Sequence, residues 1–228
     1  MRVRYADLKK AILFAKNILE EATIVAEDEL TIKGIDPARV AYIEATIKPS
    51  EKSIERWTAK VDMALLKTVP EIITEDVEIT KDNGAITFKN ETEEAKISCY
   101  EYKPEEISIK NIEEAIENGT IAKVKLKDMI NAIKKIRNTG TDNVKIEAKK
   151  DMLVMSNYGD NRIKASYKVK ADVKGKDATI YRVEYLASVL KDIKEKEIEI
   201  QYKTNRPIKI TAKTDTLEMK AYVAPYIP

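Results

Sequence analysis

The chain has 228 residues, 43% of them apolar, with 41 Lys and Arg against 39 Asp and Glu and a formal net charge of +2. That apolar content excludes a disordered chain, and the length allows one large domain or two of about a hundred residues. Histidine is absent and Cys99 is the one cysteine, which excludes an intramolecular disulfide, a Cys-based zinc cluster and the commonest general base.

Residues 2–5 alternate as a short strand. From Asp7 to Leu19 the stripe Leu8, Ala11, Ile12, Ala15, Ile18 and Leu19 predicts a helix. Ala22–Ala26 and Leu30–Ile35 read as strands around the acidic turn Glu27-Asp28-Glu29. Arg39–Lys48 is a longer strand, with Val40, Tyr42, Glu44 and Thr46 on one face and Ala41, Ile43, Ala45 and Ile47 on the other. A loop over Pro49–Glu55 leads to a strand at Trp57–Val61. Met63–Ile73 carries Leu65, Leu66, Val69 and Ile72 at helical spacing, but Pro70 lacks an N–H and predicts a short or kinked helix. Three strands follow, Val77–Lys81, Ala85–Lys89 and Ala95–Tyr102, the first two joined by the tight turn Asp82-Asn83-Gly84.

Lys103–Gly119 is acidic, contains Pro104 and keeps only isolated isoleucines, so it is read as a connector between two domains. Beyond it, Val124–Leu126 is a strand and Asp128–Arg137 a helix, stopped by Asn138-Thr139-Gly140. Strands at Val144–Ala148, Leu153–Ser156 and Arg162–Lys170 precede a polar loop or strand edge over residues 171–177. Ala178–Arg182 is a strand, Tyr185–Ile193 a helix, and Glu197–Tyr202, Pro207–Ala212 and Leu217–Val223 close the sheet. Each half thus carries two helices and mostly antiparallel strands, an α+β plan.

The two halves repeat one another. Val3-Arg4-Tyr5-Ala6-Asp7-Leu8-Lys9-Lys10-Ala11-Ile12 is echoed by Val124-Lys125-Leu126-Lys127-Asp128-Met129-Ile130-Asn131-Ala132-Ile133, an offset of 121 residues (124 − 3). This offset is too long for a solenoid unit and fits two duplicated domains, residues 1–102 and 120–228, joined by residues 103–119.

The search for catalytic chemistry is mostly negative. The six glycines are scattered, so there is no phosphate loop or dinucleotide fingerprint. Cys99 alternates within a strand pattern and reads as a small buried thiol. No apolar run approaches the length of a membrane span. No secretory signal is visible, so a cytoplasmic protein is expected. The positive signal is helix charge. Lys9, Lys10 and Lys16 stand against Asp7 on the first helix. Lys127, Lys134, Lys135 and Arg137 stand against Asp128 on its echo. The second helices add Lys67 in the first half and Lys191 and Lys194 in the second. Aromatics do not interleave these lysines and no Arg/Asn pair suggests base reading, so the expected mode is sequence-independent attraction to duplex phosphates. A single basic helix would be read as a solvated face; the recurrence tilts the reading toward DNA.

Gly34-Ile35-Asp36-Pro37-Ala38-Arg39-Val40-Ala41-Tyr42-Ile43 resembles the first-domain segment of archaeal and eukaryotic sliding clamps, the proliferating cell nuclear antigen (PCNA) family. Arg206-Pro207-Ile208-Lys209-Ile210 and Ala221-Tyr222-Val223-Ala224-Pro225 resemble its closing strands, and Tyr185-Leu186 followed by Lys191 its last helix. The resemblance, to the archaeal type, implies two duplicated clamp-fold domains per chain, helices packed on antiparallel sheets, and a trimeric ring. It implies a DNA sliding clamp, a non-enzymatic processivity factor for replication and repair in a prokaryotic-type cell. Such a clamp needs no cofactor or metal and is nucleoid-associated rather than membrane-bound. The ten basic residues named above would face the DNA. DNA polymerase, nuclease, ligase and the clamp loader would dock through short Gln-containing motifs ending in two aromatics. Their pocket would map to Ile35, Val40, Tyr42, Ile107, Ile109, Ile112, Pro207, Tyr222, Ala224 and Pro225. Subunits would pair through Lys96, Ser98, Tyr100 and Tyr102 on one edge and Arg162, Lys164, Ser166 and Lys168 on the next. The resemblance leaves open a homotrimer or a heterotrimer, including a specialised or mobile-element subunit. From another class, a monomeric β-rich adaptor that never encircles DNA stays open too.

Overall fold

The computed structural model describes residues 1–52, 55–101, 109–159 and 163–228. The chain divides into two compact units: Met1–Glu105 with Lys213–Met219, and Glu106–Ala212 with Lys220–Pro228.

The first unit opens with strand β1 (Arg2–Val3) and helix α1 (Tyr5–Ala15). The helix is shorter than its apolar stripe, because the chain tightens after Ala15: Ile18 and Leu19 N–H both donate to the Ala15 carbonyl. Leu19 is nevertheless buried, and a Cβ at Gly34 would stand 2.9 Å from its Cδ1 and 3.0 Å from the Glu21 carbonyl oxygen, so any larger residue there would crowd both. Strands β2 (Glu21–Ala26), β3 (Leu30–Ile35), β4 (Ala41–Ile47) and β5 (Trp57–Asp62) form an antiparallel group ordered β5-β2-β3-β4. β4 begins two residues later than the alternation predicts. The Asp36 carboxylate accepts from the N–H groups of Ala38, Val40 and Ala41, and Arg39 takes a φ of 56°, so the chain turns before it extends.

The segment after β5 confirms the cost of Pro70. Two four-residue helices, α2 (Met63–Leu66) and α3 (Val69–Ile72), replace one continuous helix, with Pro70 in the first turn of α3, where a missing N–H is tolerated. Strands β6 (Val77–Asp82), β7 (Ala85–Lys89) and β8 (Glu94–Ser98) make a second antiparallel sheet ordered β1-β6-β7-β8. Gly84 takes a φ of 74° in the β6–β7 turn. α1 buries Leu8, Ala11, Ile12 and Phe14 and packs on β3 and β4. Asp7 is buried as well: its carboxylate accepts from Arg4 Nε at 2.8 Å and Thr216 Oγ1 at 2.8 Å.

The second unit departs from the sequence reading at its start. The stretch expected to be a plain connector contains helix α4 (Ile109–Ile116), whose Ile109, Ile112 and Ile116 fall on one face. Then come β9 (Thr120–Lys125), α5 (Leu126–Arg137), β10 (Asn143–Lys149), β11 (Met152–Tyr158), β12 (Ser166–Lys174), β13 (Ala178–Arg182), α6 (Val183–Leu190), β14 (Glu197–Tyr202), β15 (Ile208–Lys213) and β16 (Leu217–Val223). Their order is β13-β10-β11-β12-β9-β14-β15-β16, with every described pairing in this unit antiparallel. The expected break over 171–177 is corrected: β12 runs on to Lys174, because Ala171–Lys174 pair with Val124–Ile121 of β9. α5 turns Met129, Ala132, Ile133 and Ile136 onto β9, β11 and β12 and also packs beside α6.

Asp177 ties this unit's turns together. One carboxylate oxygen accepts from Thr120 N (3.0 Å) and Oγ1 (2.9 Å), the other from Thr204 N (3.1 Å) and Oγ1 (2.9 Å). Burial alone would raise its pKa; these four donors outweigh it and hold the carboxyl below the ordinary aspartate value. The folded value is depressed, so its contribution is present above the unfolded value and is lost as pH falls through the folded one. Asp177→Ala is expected to destabilise this unit by about 2–3 kcal/mol, with the loss vanishing in acid. Urea denaturation at neutral pH and at pH 3 measures both.

Candidate nucleic-acid interface and docking surfaces

On α5 the apolar side faces the strands, and Lys127, Asn131, Lys134 and Asn138 run along the opposite side, all exposed. Spacings of three and four residues place them in one row. Lys134, Lys135 and Arg137 lie in the last turn, where the helix dipole favours cations. The row has two flanks. Lys135 reaches toward β12, with Nζ 5.2 Å from the Tyr167 ring centroid. Arg137 lies on the other flank and lines a hollow with Asp142, Arg182 and Glu184. Lys191 caps the C-terminus of α6 and Lys194 follows; both are exposed.

On α1, Lys9 and Lys16 are exposed and Lys10 is half-buried. Lys9 Nζ donates to Tyr5 Oη at 3.2 Å and lies 5.4 Å from that ring's centroid, while Tyr5 Oη donates to the Pro70 carbonyl at 2.9 Å. Lys67 is exposed as the C-cap of α2. With the 121-residue offset, Lys16 matches Arg137, whereas Lys10 matches Asn131 and Leu13 matches Lys134. The charge therefore recurs as a face and not residue by residue.

Ion pairs elsewhere engage cations on strands, turns and α4, such as Lys60 with Glu21, Lys145 with Glu147 and Lys209 with Glu113. Among the described residues, no ion pair engages Lys9, Lys16, Lys67, Lys127, Lys134, Lys135, Arg137, Lys191 or Lys194. A row of unneutralised cations attracts an anionic surface over about a Debye length, roughly 8–10 Å at physiological salt.

The residues of the expected partner pocket belong to both units. In the first, Ile35 and Val40 are half-buried, and Tyr42 is buried with its hydroxyl donating to Glu44 at 3.0 Å. In the second, Ile109, Ile112, Pro207, Ala224 and Pro225 are half-buried. Tyr222 is 3% exposed, and its hydroxyl donates to Glu113 of α4 at 2.6 Å. Lys209 Nζ donates to the same Glu113 oxygen at 2.6 Å. Sequence reasoning missed this carboxylate; its signal was position i+4 from Ile109, on the isoleucine side of a helix not anticipated. Lys209, then Tyr222, hold the Glu113 carboxyl below the ordinary glutamate value, against burial, with the Lys220 charge adding to the effect. Ile107 lies outside the described residues.

Among the strand edges left open in the described residues, the two named for subunit pairing are β8 and the first part of β12. β8 ends its sheet, and beyond it only Tyr100 makes a bridge, to Lys60. Along Ser166–Lys170, β12 pairs with β11 on one side, while its pairing with β9 begins only at Ala171. Lys96, Ser98, Tyr100, Lys164, Ser166 and Lys168 are exposed at these edges; Tyr102 and Arg162 lie outside the described residues. Sequence reasoning did not single out the apolar groups nearby. Leu65 and Ile72, on helices packed beside β8, are 40% and 47% exposed, and Ile163, before β12, is 59% exposed. The break at Pro70 was the available signal, since two short helices cannot keep one inward stripe.

Among the described residues no group of His, Cys, Asp and Glu could hold a metal ion, and no helix is long and apolar enough to cross a membrane.

Two solved structures have this architecture from end to end. The proliferating cellular nuclear antigen of Entamoeba histolytica superposes with a TM-score of 0.85 at 11% identity, covering 99% of this chain and 98% of that one. The fold is that of the sliding clamp. PCNA from Thermococcus kodakaraensis gives the same TM-score at 16% identity, covering 99% of both chains. No protein-family model matches the sequence, and no curated protein matches it. The clamp fold is thus shared while few residues are.

Cys99 is 8% exposed at the end of β8, and burial pushes its thiol pKa up, partly offset by the Lys81 charge. It is expected to react with a thiol reagent at neutral pH at least tenfold more slowly in the native protein than in guanidinium, which an absorbance time course checks.

Proposed function

We propose that this chain is a subunit of a ring that encircles duplex DNA without reading its sequence and tethers replication and repair enzymes to it. The observation that carries the reading is the set of exposed helix cations without carboxylate partners, repeated in both units of a clamp fold. Lys9, Lys16, Lys127 and Lys134 lie on these exposed faces with Lys135, Arg137, Lys67, Lys191 and Lys194, and half-buried Lys10 stands beside Lys9 as a further DNA-facing cation outside that set. Such a lining neutralises phosphates without fixing a register, which permits sliding. Holding an enzyme on its template raises its local concentration without any new contact between enzyme and DNA. The chain itself supplies no catalytic group in this scheme.

The ring is closed by joining the open edge of β8 in one copy to the open Ser166–Lys170 edge of β12 in the next. This head-to-tail contact hides both edges and closes by rotation, here as a trimer. Charge supports the pairing. The β8 side carries Glu94 and Glu101 with Lys96, while the β12 side carries Lys164, Lys168 and Lys170. Leu65, Ile72, Tyr100 and Ile163 supply apolar area beside it. Partner enzymes, including polymerase, nuclease, ligase and a clamp loader, dock through aromatic-ended segments on the strip that includes Pro207, Tyr222, Ala224 and Pro225. The Lys- and Glu-rich composition, 35% charged, supports an archaeal-type, cytoplasmic and nucleoid-associated setting.

The triple variant Lys9→Ala, Lys127→Ala, Lys134→Ala is expected to lower stimulation of a DNA polymerase at least fivefold at moderate salt and to flatten its salt dependence, with mass in solution unchanged. Unchanged stimulation would overturn the DNA-facing role. Light scattering on the native chain is expected to give a trimer of the 25.9 kDa subunit. A single-chain mass that shifts only when other clamp subunits are added would instead indicate a mixed ring, and one that never shifts a monomeric adaptor. Ile163→Asp is expected to dissociate the ring, read as a fall in mass.

A further inference from the structure

We propose that α4 is a latch, closed by Glu113 over Tyr222 and Lys209, which a docking partner has to displace. The inference rests on the docking reading above and deepens it, since it concerns access to the same strip.

An isolated eight-residue helix is not stable in water; α4 persists through what it touches. Its backbone is tied to the second unit where Gln201 Nε2 donates to the Ile116 carbonyl at 3.2 Å, and Ile116 is buried. Its middle is tied through one carboxylate, which accepts from Lys209 of β15 and Tyr222 of β16 at 2.6 Å each. Lys209 Nζ also lies 5.7 Å from the Tyr222 ring centroid. A helix side chain, a strand cation and an aromatic ring therefore form one closed cluster.

Two features make this a closure that opens. Glu113 is still 46% exposed while it holds both donors, so water can replace them at small cost. Ile109 and Ile112, nearer the start of the helix, are only half-buried, so lifting that end exposes little new apolar surface. The cluster also blocks what a partner needs. Tyr222 is 3% exposed and its hydroxyl donates to Glu113, so a partner that engages this hydroxyl has to displace the α4 carboxylate first. The chain pays this opening cost before docking, and a segment that covers the strip better than α4 recovers it.

The test uses the full chain and a fluorescent synthetic peptide carrying a glutamine and two terminal aromatics. Peptide affinity is read by anisotropy, and amide hydrogen exchange over residues 109–116 is read without peptide. Glu113→Ala removes both bonds and is expected to speed exchange at least tenfold and to tighten peptide binding about tenfold. Glu113→Gln keeps a partner for Tyr222 and loses the ion pair; it is expected to fall between the two and guards against misfolding of the alanine variant. Binding to both native and variant chains with equal affinity, or weaker binding to the variants, overturns the latch and leaves the docking reading standing. Binding to none of them overturns both. Faster exchange with tighter binding supports the latch.

Discussion

Burial of one apolar stripe on each long helix sets the direction of every charge on it. Met129, Ala132, Ile133 and Ile136 can leave water only against β9, β11 and β12, and this fixes the rotation of α5 about its axis. Once that rotation is fixed, Lys127 and Lys134 have nowhere to point but outward. α1 obeys the same rule, with Leu8, Ile12 and Phe14 inward and Lys9 and Lys16 outward. Each buried side chain of this size contributes about 1.5–3 kcal/mol, far more than an exposed lysine gains or loses by changing partners. The basic faces are thus a by-product of packing that costs the fold little, and their chemistry is free to serve a ligand.

The sheets solve a different problem. Antiparallel strands satisfy one another's backbone groups, yet a sheet that does not close leaves edges. Within the described residues, β8 and the first half of β12 are such edges, and both are flanked by exposed apolar side chains. In the proposed ring, backbone donors without neighbours, apolar groups in water and unlike charges at the two edges would all be met by a further strand from another copy. On the proposed reading the cations on the helices and the edges on the sheets serve different partners: the helices an anionic ligand, the edges a protein.

α4 and Asp177 show how polar groups add conformational choice to this frame. Asp177 gathers donors from buried Thr120 and exposed Thr204 and so ties a turn to the edge of the core. Glu113 does similar work from an exposed position, where the bonds are easier to break. The number of donors separates the two roles, since four bonds to half-buried Asp177 must break together and only two hold Glu113. Two carboxylates of similar chemistry thus serve permanence in one place and reversibility in another.

Much of this was legible in the residues. The period-two alternation located most strands, the helical stripes located α1, α5 and α6, and Pro70 announced the broken second helix. The basic helix faces could be read because they depend on local periodicity alone. What the sequence could not decide depended on distant neighbours. The extension of β12 to Lys174 is set by pairing with β9, some fifty residues earlier in the chain. The helix over Ile109–Ile116 forms because strands almost a hundred residues later offer Lys209 and Tyr222 to Glu113. The burial of Asp7 against the exposure of Asp128, two copies of one repeated aspartate, follows from Thr216 standing beside the first. Periodicity fixes which face of an element is apolar; only the assembled chain determines which edge stays open and which polar group finds a partner.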